Sequence, residues 1–263
     1  HYTAALELAI GLGDRTTCAH IVVNRAEITG RQGRFSEAQE EFIWAIAELE
    51  ALGRPSDADV ARHDLAALLT RYLRLDEAEE ALRACSEPPD GRRLSERQSL
   101  LGLIAVERGD LTAAARACDA DEAAARTLDD ENGLARISNN RGVLAMLSGD
   151  AAAAATLFRE SRAFNHDQED AHGEAQASGN LSILAQTMGQ PQTAVEHGRA
   201  ALGVFAPVAD WVSCVEIYAS VRDLPLSWGA DLAAKDPSSL LPDRLPYATQ
   251  PRFLWNVSYG YLP

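Results

Sequence analysis

Lysine is nearly missing from this chain: of 24 basic residues only Lys235 is a lysine. Together with abundant alanine this is the mark of a GC-rich coding bias, so a single arginine carries little functional weight by itself. Aromatic residues are scarce, at 6%, and β-branched residues are sparse too, which argues against a sheet-built core; almost no strand is expected before residue 245. The four cysteines, Cys18, Cys85, Cys118 and Cys214, lie far apart and form no CxxC or Cys/His cluster. That excludes a disulfide framework and a zinc site of the usual spacing and leaves them as small buried thiols. Positive charge is also short. A formal net charge of −15 argues against a broad nucleic-acid surface and against anionic membranes. No run approaches the roughly 20 apolar residues of a membrane span, and no signal peptide is visible, so the cytoplasm is the expected location.

Catalytic motifs are missing as well. There is no GxSxG, HExxH, P-loop or GxGxxG stretch, so no catalytic residue, metal ligand or cofactor is assigned, and an enzyme is not expected. His166, Asp167, Glu169, Asp170 and His172 form the one dense group of metal-ligand types. They fall between two repeats, where a solvated link is the plainer expectation. Carboxylate runs such as Asp129, Asp130 and Glu131 read as solvated faces.

What is present is a repeat. Residues 136–165 read as one helix-turn-helix unit with Asn140, Gly142, Ala145, Gly149, Asp150, Ala154, Phe158 and Ser161 as landmarks. Small residues stand where two helices approach closely, Gly149 ends the first helix in a left-handed cap, and Asp150 N-caps the second. The turn position recurs as Gly33, Leu73, Gly109, Gly149 and Gly189, at intervals of 40, 36, 40 and 40 residues. Random alanine-rich helices do not keep such register. Five repeats follow, beginning near Ala19, Asp59, Ser95, Arg136 and Ala175. Residues 1–12 match a second helix whose first helix is absent, which predicts that the native chain extends upstream of His1. Pro88, Pro89, Asp90 and Gly91 break the chain sharply, and Pro191 sits where a first helical turn tolerates proline.

The Asn-x-Gly or Asn-x-Ser of the first helix, the turn Gly-Asp, and the alanine five positions after the glycine resemble the tetratricopeptide repeat family over residues 1–205. The 40-residue period is similar to the lengthened repeats of kinesin light chains and of bacterial signalling and regulatory proteins. Leu73 in place of glycine and the lack of a first-helix aromatic depart from the family pattern. The resemblance implies an all-α fold, an α-solenoid of antiparallel helix pairs wound into a right-handed superhelix. It is followed by a helix or partial repeat at 206–236 and an irregular, proline- and aromatic-rich tail at 237–263. It further implies a groove lined by first helices that holds an extended protein or peptide segment. The positions carried over are Asn24, Arg31, Arg71, Arg136, Asn139, Asn140, Gln176 and Asn180, with His20, Glu27, His63 and Asp64 beside them. Asparagine there clamps a peptide backbone, since its amide both donates and accepts; the competing structural role is contact between helices.

The tail concentrates Tyr247, Phe253, Trp255, Tyr259 and Tyr261, five of sixteen aromatics, around a single charge at Arg252. Disordered linkers are poor in aromatics, so an interaction is expected of it, with a partner or with the array itself. The expected function is a non-catalytic protein- or peptide-binding scaffold, the sensor or docking part of a bacterial signalling or regulatory protein. The alternative is an accessory array that presents its tail to, or positions, a separate enzyme such as a protease or a tail-modifying enzyme.

Overall fold

The computed structural model describes residues 2–86 and 91–210, together with 212–214 and 217. Every regular element among them is helical: α1 (Tyr2–Leu12), α2 (Arg15–Arg31), α3 (Phe35–Ala51), α4 (Pro55–Arg71), α5 (Leu75–Arg83), α6 (Gly91–Glu107), α7 (Leu111–Thr127), α8 (Glu131–Leu147), α9 (Ala151–Asp167), α10 (Ala171–Thr187), α11 (Pro191–Phe205) and a 3₁₀ turn (Ala206–Val208). The fold is an all-α solenoid in which, within each of two units, helices pack on their neighbours in chain order. Two compact units divide beside Pro89, one holding α1 to α5 and the other α6 to α11. The tail expected at 237–263 lies outside the described residues, as does most of the segment 206–236.

One kind of link recurs within each unit. In the turn after α8, Gly149 takes φ +86°. Its N–H donates to the Met146 carbonyl at 3.0 Å, and the Asp150 N–H reaches back to the Ala145 carbonyl at 2.8 Å. These crossed bonds satisfy carbonyls that the helix end would otherwise leave open. The same pair of bonds closes the turn after every helix from α1 to α4 and from α6 to α10, and again at Ala209–Asp210. Left-handed residues therefore recur every 20 residues, at 13, 33, 53 and 73 and again at 109, 129, 149, 169, 189 and 209. The geometric period is half the 40-residue period of the sequence. Links between repeats use the same turn as links within them, with Gly13 and Gly53 in the left-handed position in the first unit and Asp129, Glu169 and Ala209 in the second.

Helix starts lie about one turn earlier than the landmark residues suggest, at Arg15, Pro55, Gly91 and Ala171. The reason is capping. Asp14 accepts from the Thr17 N–H at 3.0 Å, Asp130 from the Gly133 N–H at 2.9 Å and Asp170 from the Gly173 N–H at 3.1 Å, while Pro55 is fit for a first helical position. The expected cap at Asp150 is present, accepting from the Ala153 N–H at 2.9 Å.

Small residues set the spacing within each pair. Ala38, Ala78, Ala114, Ala154 and Ala194, five positions after each turn, are all fully buried. Facing side chains alternate in bulk. A Cβ added to Gly142 would lie 2.6 Å from the fully buried Phe158 ring, so the glycine of α8 and the phenylalanine of α9 require each other.

Leu73 holds φ 58° on a β-carbon that disfavours it, and its side chain is partly exposed. Replacing Leu73 by Gly is therefore expected to stabilise the protein by about 0.5–1 kcal/mol, strain relief outweighing unfolded-state entropy. Gly149→Val, with open space around the new side chain, is expected to cost about 1 kcal/mol or more. Urea midpoints of the two variants should move in opposite directions.

Candidate functional site

The first helices carry the polar residues singled out above, and the structure separates them into two sets. In the α1–α5 unit, Asn24, Arg31 and Arg71 are half-buried. Arg31 pairs with Glu27 one turn back at 2.6 Å. Glu27 and Arg31 of α2, with Asp64 and Arg71 of α4, line a shallow depression of about 20 Å³, room for roughly one water. His20 faces Asp57 at 3.1 Å, and His63 lies 3.5 Å from Asp64.

In the α6–α11 unit the corresponding residues are buried. Asn140 and Asn180 are fully enclosed, Asn139 nearly so, and Arg136 and Gln176 keep only 8% and 6% exposure. The Asn180 amide donates to Asn139 Oδ1 at 2.9 Å, the Asn139 amide to Asn140 Oδ1 at 3.4 Å, and the Asn140 amide to Ser99 Oγ at 3.4 Å. This relay runs across α10, α8 and α6. Beside it, Arg136 Nη2 donates to Asp121 Oδ1 at 2.9 Å and to Ser95 Oγ at 2.8 Å, and the Ser95 hydroxyl donates to Asp121. Burial pushes the Asp121 carboxyl up, and Arg136 and Ser95 pull it back down. The longest-range bonds, 95 to 136, 99 to 140 and 139 to 180, each span 41 residues. One repeat is thus tied to the next through side chains on equivalent faces.

The His166–His172 group is the solvated link expected from sequence: His166, Asp167, Glu169 and Asp170 are all exposed. α9 runs through Asp167 and α10 begins at Ala171; His166 pairs with Glu174 at 3.2 Å, and His172 meets the Phe205 ring edge-on at 5.2 Å. Among the described residues no three His, Cys, Asp or Glu side chains are gathered to hold a metal ion. Tyr247, Phe253, Trp255, Tyr259 and Tyr261 lie outside the described residues.

One concavity in the α1–α5 unit was missed by sequence reasoning. A cleft of about 550 Å³ lies between α1, α2 and α3, walled by Leu6, Ile10, Cys18, Val22 and Trp44 and rimmed by Arg15, Arg25, Glu40, Glu41 and Glu48. Arg15 grips Glu48 with two hydrogen bonds, at 2.6 and 3.0 Å, which holds the Glu48 carboxyl below its ordinary range. Arg25 Nε lies 2.7 Å from Glu41 Oε1; burial nevertheless raises the Glu41 carboxyl. Arg25 Nε and Glu41 Oε2 are both buried without a hydrogen-bond partner. Trp44 remains 47% exposed and Ile10 64%. Next to Trp44 in sequence, exposed Ile43 occupies the position that Arg83, Asp119, Arg159 and Arg199 take in the other second helices.

No protein-family model matches the chain, and no curated protein matches it. Among the described residues no helix is long and apolar enough to cross a membrane.

The buried ion pair gives a sharp stability test. Asp121→Ala leaves the Arg136 charge buried and uncompensated and is expected to destabilise the α6–α11 unit by about 3–5 kcal/mol. The double variant Asp121→Leu with Arg136→Met removes both charges and should recover most of that loss. Urea denaturation of the three proteins checks the order.

Proposed function

We propose that this protein is a non-catalytic docking array of tetratricopeptide type, which holds a peptide segment of a partner protein as part of a cytoplasmic bacterial signalling or regulatory system. The observation that carries the proposal is the cleft of about 550 Å³ between α1, α2 and α3, with its half-exposed Trp44. Ligand sites of this size are concave and mostly apolar with a few placed polar groups. Half-exposed tryptophan beside arginine is also the composition of interaction hot spots. Peptides that lie in helix-lined clefts bind through a few such anchors. The inner first-helix face offers less: the α2–α4 depression is small, and in the other unit Asn139, Asn140 and Asn180 spend amide groups on one another.

A random-peptide display selection against the full chain tests the assignment. The expected outcome is enriched peptides whose binding falls at least tenfold on Trp44→Ala and hardly changes on Arg31→Ala or Arg71→Ala. Peptides dependent on Arg31 and Arg71 instead would move the site to the first-helix face and keep the docking function. No enrichment above an unrelated helical protein would overturn the function itself.

A further inference from the structure

Between the third and fourth repeats, Arg141 of α8 holds Asp119 and Glu122 of α7 at 2.8 and 2.5 Å. One period further along the chain every member of that triad has changed. α9 carries Arg159 and Arg162 where α7 carries Asp119 and Glu122, and α10 carries Leu181 where α8 carries Arg141. An exchange of signs would have put a carboxylate at 181; instead the residue there is apolar and buried. Two guanidinium groups are left as neighbours, since residues three apart share a helix face, where like charges repel.

No carboxylate in the described structure neutralises them. Among the described residues Arg159 and Arg162 form no ion pair, and neither do the adjacent Glu160 and Glu196. Arg159 is exposed and Arg162 half-buried. Arg162 reaches across to α11, where its Nη1 lies 3.4 Å from His197 Nδ1. A guanidinium only donates, so that ring nitrogen accepts and the imidazole is neutral, with its proton on Nε2. Burial first, then the Arg162 charge and more weakly Arg159, hold His197 below its ordinary range, against the pull of Glu196 on its own helix. α10, which packs on both helices, has only His172 and Glu174 as titratable side chains. These are engaged with Phe205 and His166. A chain of net charge −15 thus keeps two unneutralised cations beside a ring that can accept a proton.

We propose that Arg159, Arg162 and His197 form a binding site for a phosphomonoester dianion on the second-helix face of the α6–α11 unit. Two guanidinium forks match the ligand's two charges, and its three terminal oxygens accept more bonds than a carboxylate can. Arg162 turns from His197 to the phosphoryl group, which frees Nδ1 to take a proton from water. The imidazolium then faces a dianion instead of two bare cations, so ligand and proton favour each other. A carboxylate neutralises only one of the arginines and binds more weakly. This site lies in the other unit from the Trp44 cleft, and its outcome is independent of the docking reading.

Phenyl phosphate, titrated into the full chain by calorimetry, is the first probe. Saturable binding is expected, at least tenfold tighter than that of benzoate. Arg159→Ala and Arg162→Ala should each weaken it at least tenfold, and Arg162→Lys, which keeps the charge but loses the fork, should weaken it as well. If Arg162→Ala lowers the melting curve, the exposed Arg159→Ala carries this arm alone. Sulfate is the second probe, because it stays a dianion throughout the histidine range. The His197 proton resonance, identified by its loss in His197→Gln, should titrate at a higher pH in sulfate than in chloride of equal ionic strength. That difference should vanish in the double variant Arg159→Ala with Arg162→Ala. A peptide pool with a fixed phosphoserine and random flanks then separates two sources of the ligand. Flank-dependent retention by the wild type but not by the double variant identifies a phosphorylated partner segment, whereas phenyl phosphate binding without any flank preference identifies a small phosphate ester; both keep the site. Equal affinity for phenyl phosphate and benzoate, binding that survives the alanine variants, no saturable binding, or a His197 titration indifferent to sulfate overturns it.

Discussion

The crossed hydrogen bonds of a three-residue turn are the constraint on which the rest of this structure depends. A left-handed residue followed by an extended one reverses the chain, and both of its backbone N–H groups return to carbonyls of the finished helix. Because that turn is identical within and between repeats, a helix of 17 residues and a link of three follow each other without exception from α6 to α10. Length is then not free. A helix one residue longer would rotate its successor's apolar face by about 100° away from the stack. The fully buried alanines five positions after the turns fix how near that successor comes.

Close approach decides which side chains a repeat tolerates. Gly142 admits the Phe158 ring, and in the next repeat the corresponding places are Ser182 and Gly198, where Ser182 Oγ donates to the Ala194 carbonyl at 2.6 Å. Bulk is traded for a hydrogen bond at the same level of the stack. Similar economy governs the polar relay of α6, α8 and α10. Amides buried on a helix face must be matched, and here they are matched by the adjacent repeat, which turns a desolvation cost into register between repeats.

Much of the fold was legible because its causes are local. Turn glycines, the alanine after them and the capping aspartates act within a few residues, so a period in the sequence marked the pairs and their order. The second kind of turn escaped notice where Asp129 and Glu169 stand in the left-handed position, since a carboxylate there carries no signal that a glycine would. Helix starts were read a turn late for a related reason: Asp14, Asp130 and Asp170 cap helices whose landmark residues lie further on. The site was much less legible. Whether Asn140 lines a groove or fills a relay depends on what faces it 41 residues away, and no spacing along one helix contains that. Ile43 and Trp44 did carry a local signal, apolarity where sibling helices place arginine or aspartate and bulk where they place alanine or glutamate, but its meaning required the cleft that Leu6 and Ile10 complete.

The two units also handle buried charge differently, and that difference bears on where binding is feasible. Asp121 and the Arg136 Nη2 group are enclosed and bonded to Ser95 as well as to each other, although Arg136 Nε is buried without a hydrogen-bond partner; a ligand there would first have to break those bonds. Arg25 and Glu41 are close but poorly aligned, and Arg25 Nε and Glu41 Oε2 are buried without a hydrogen-bond partner beside the cleft. The cleft beside them is walled by Leu6, Ile10, Val22 and Trp44, so a ligand there would draw its affinity from apolar burial rather than from that ion pair.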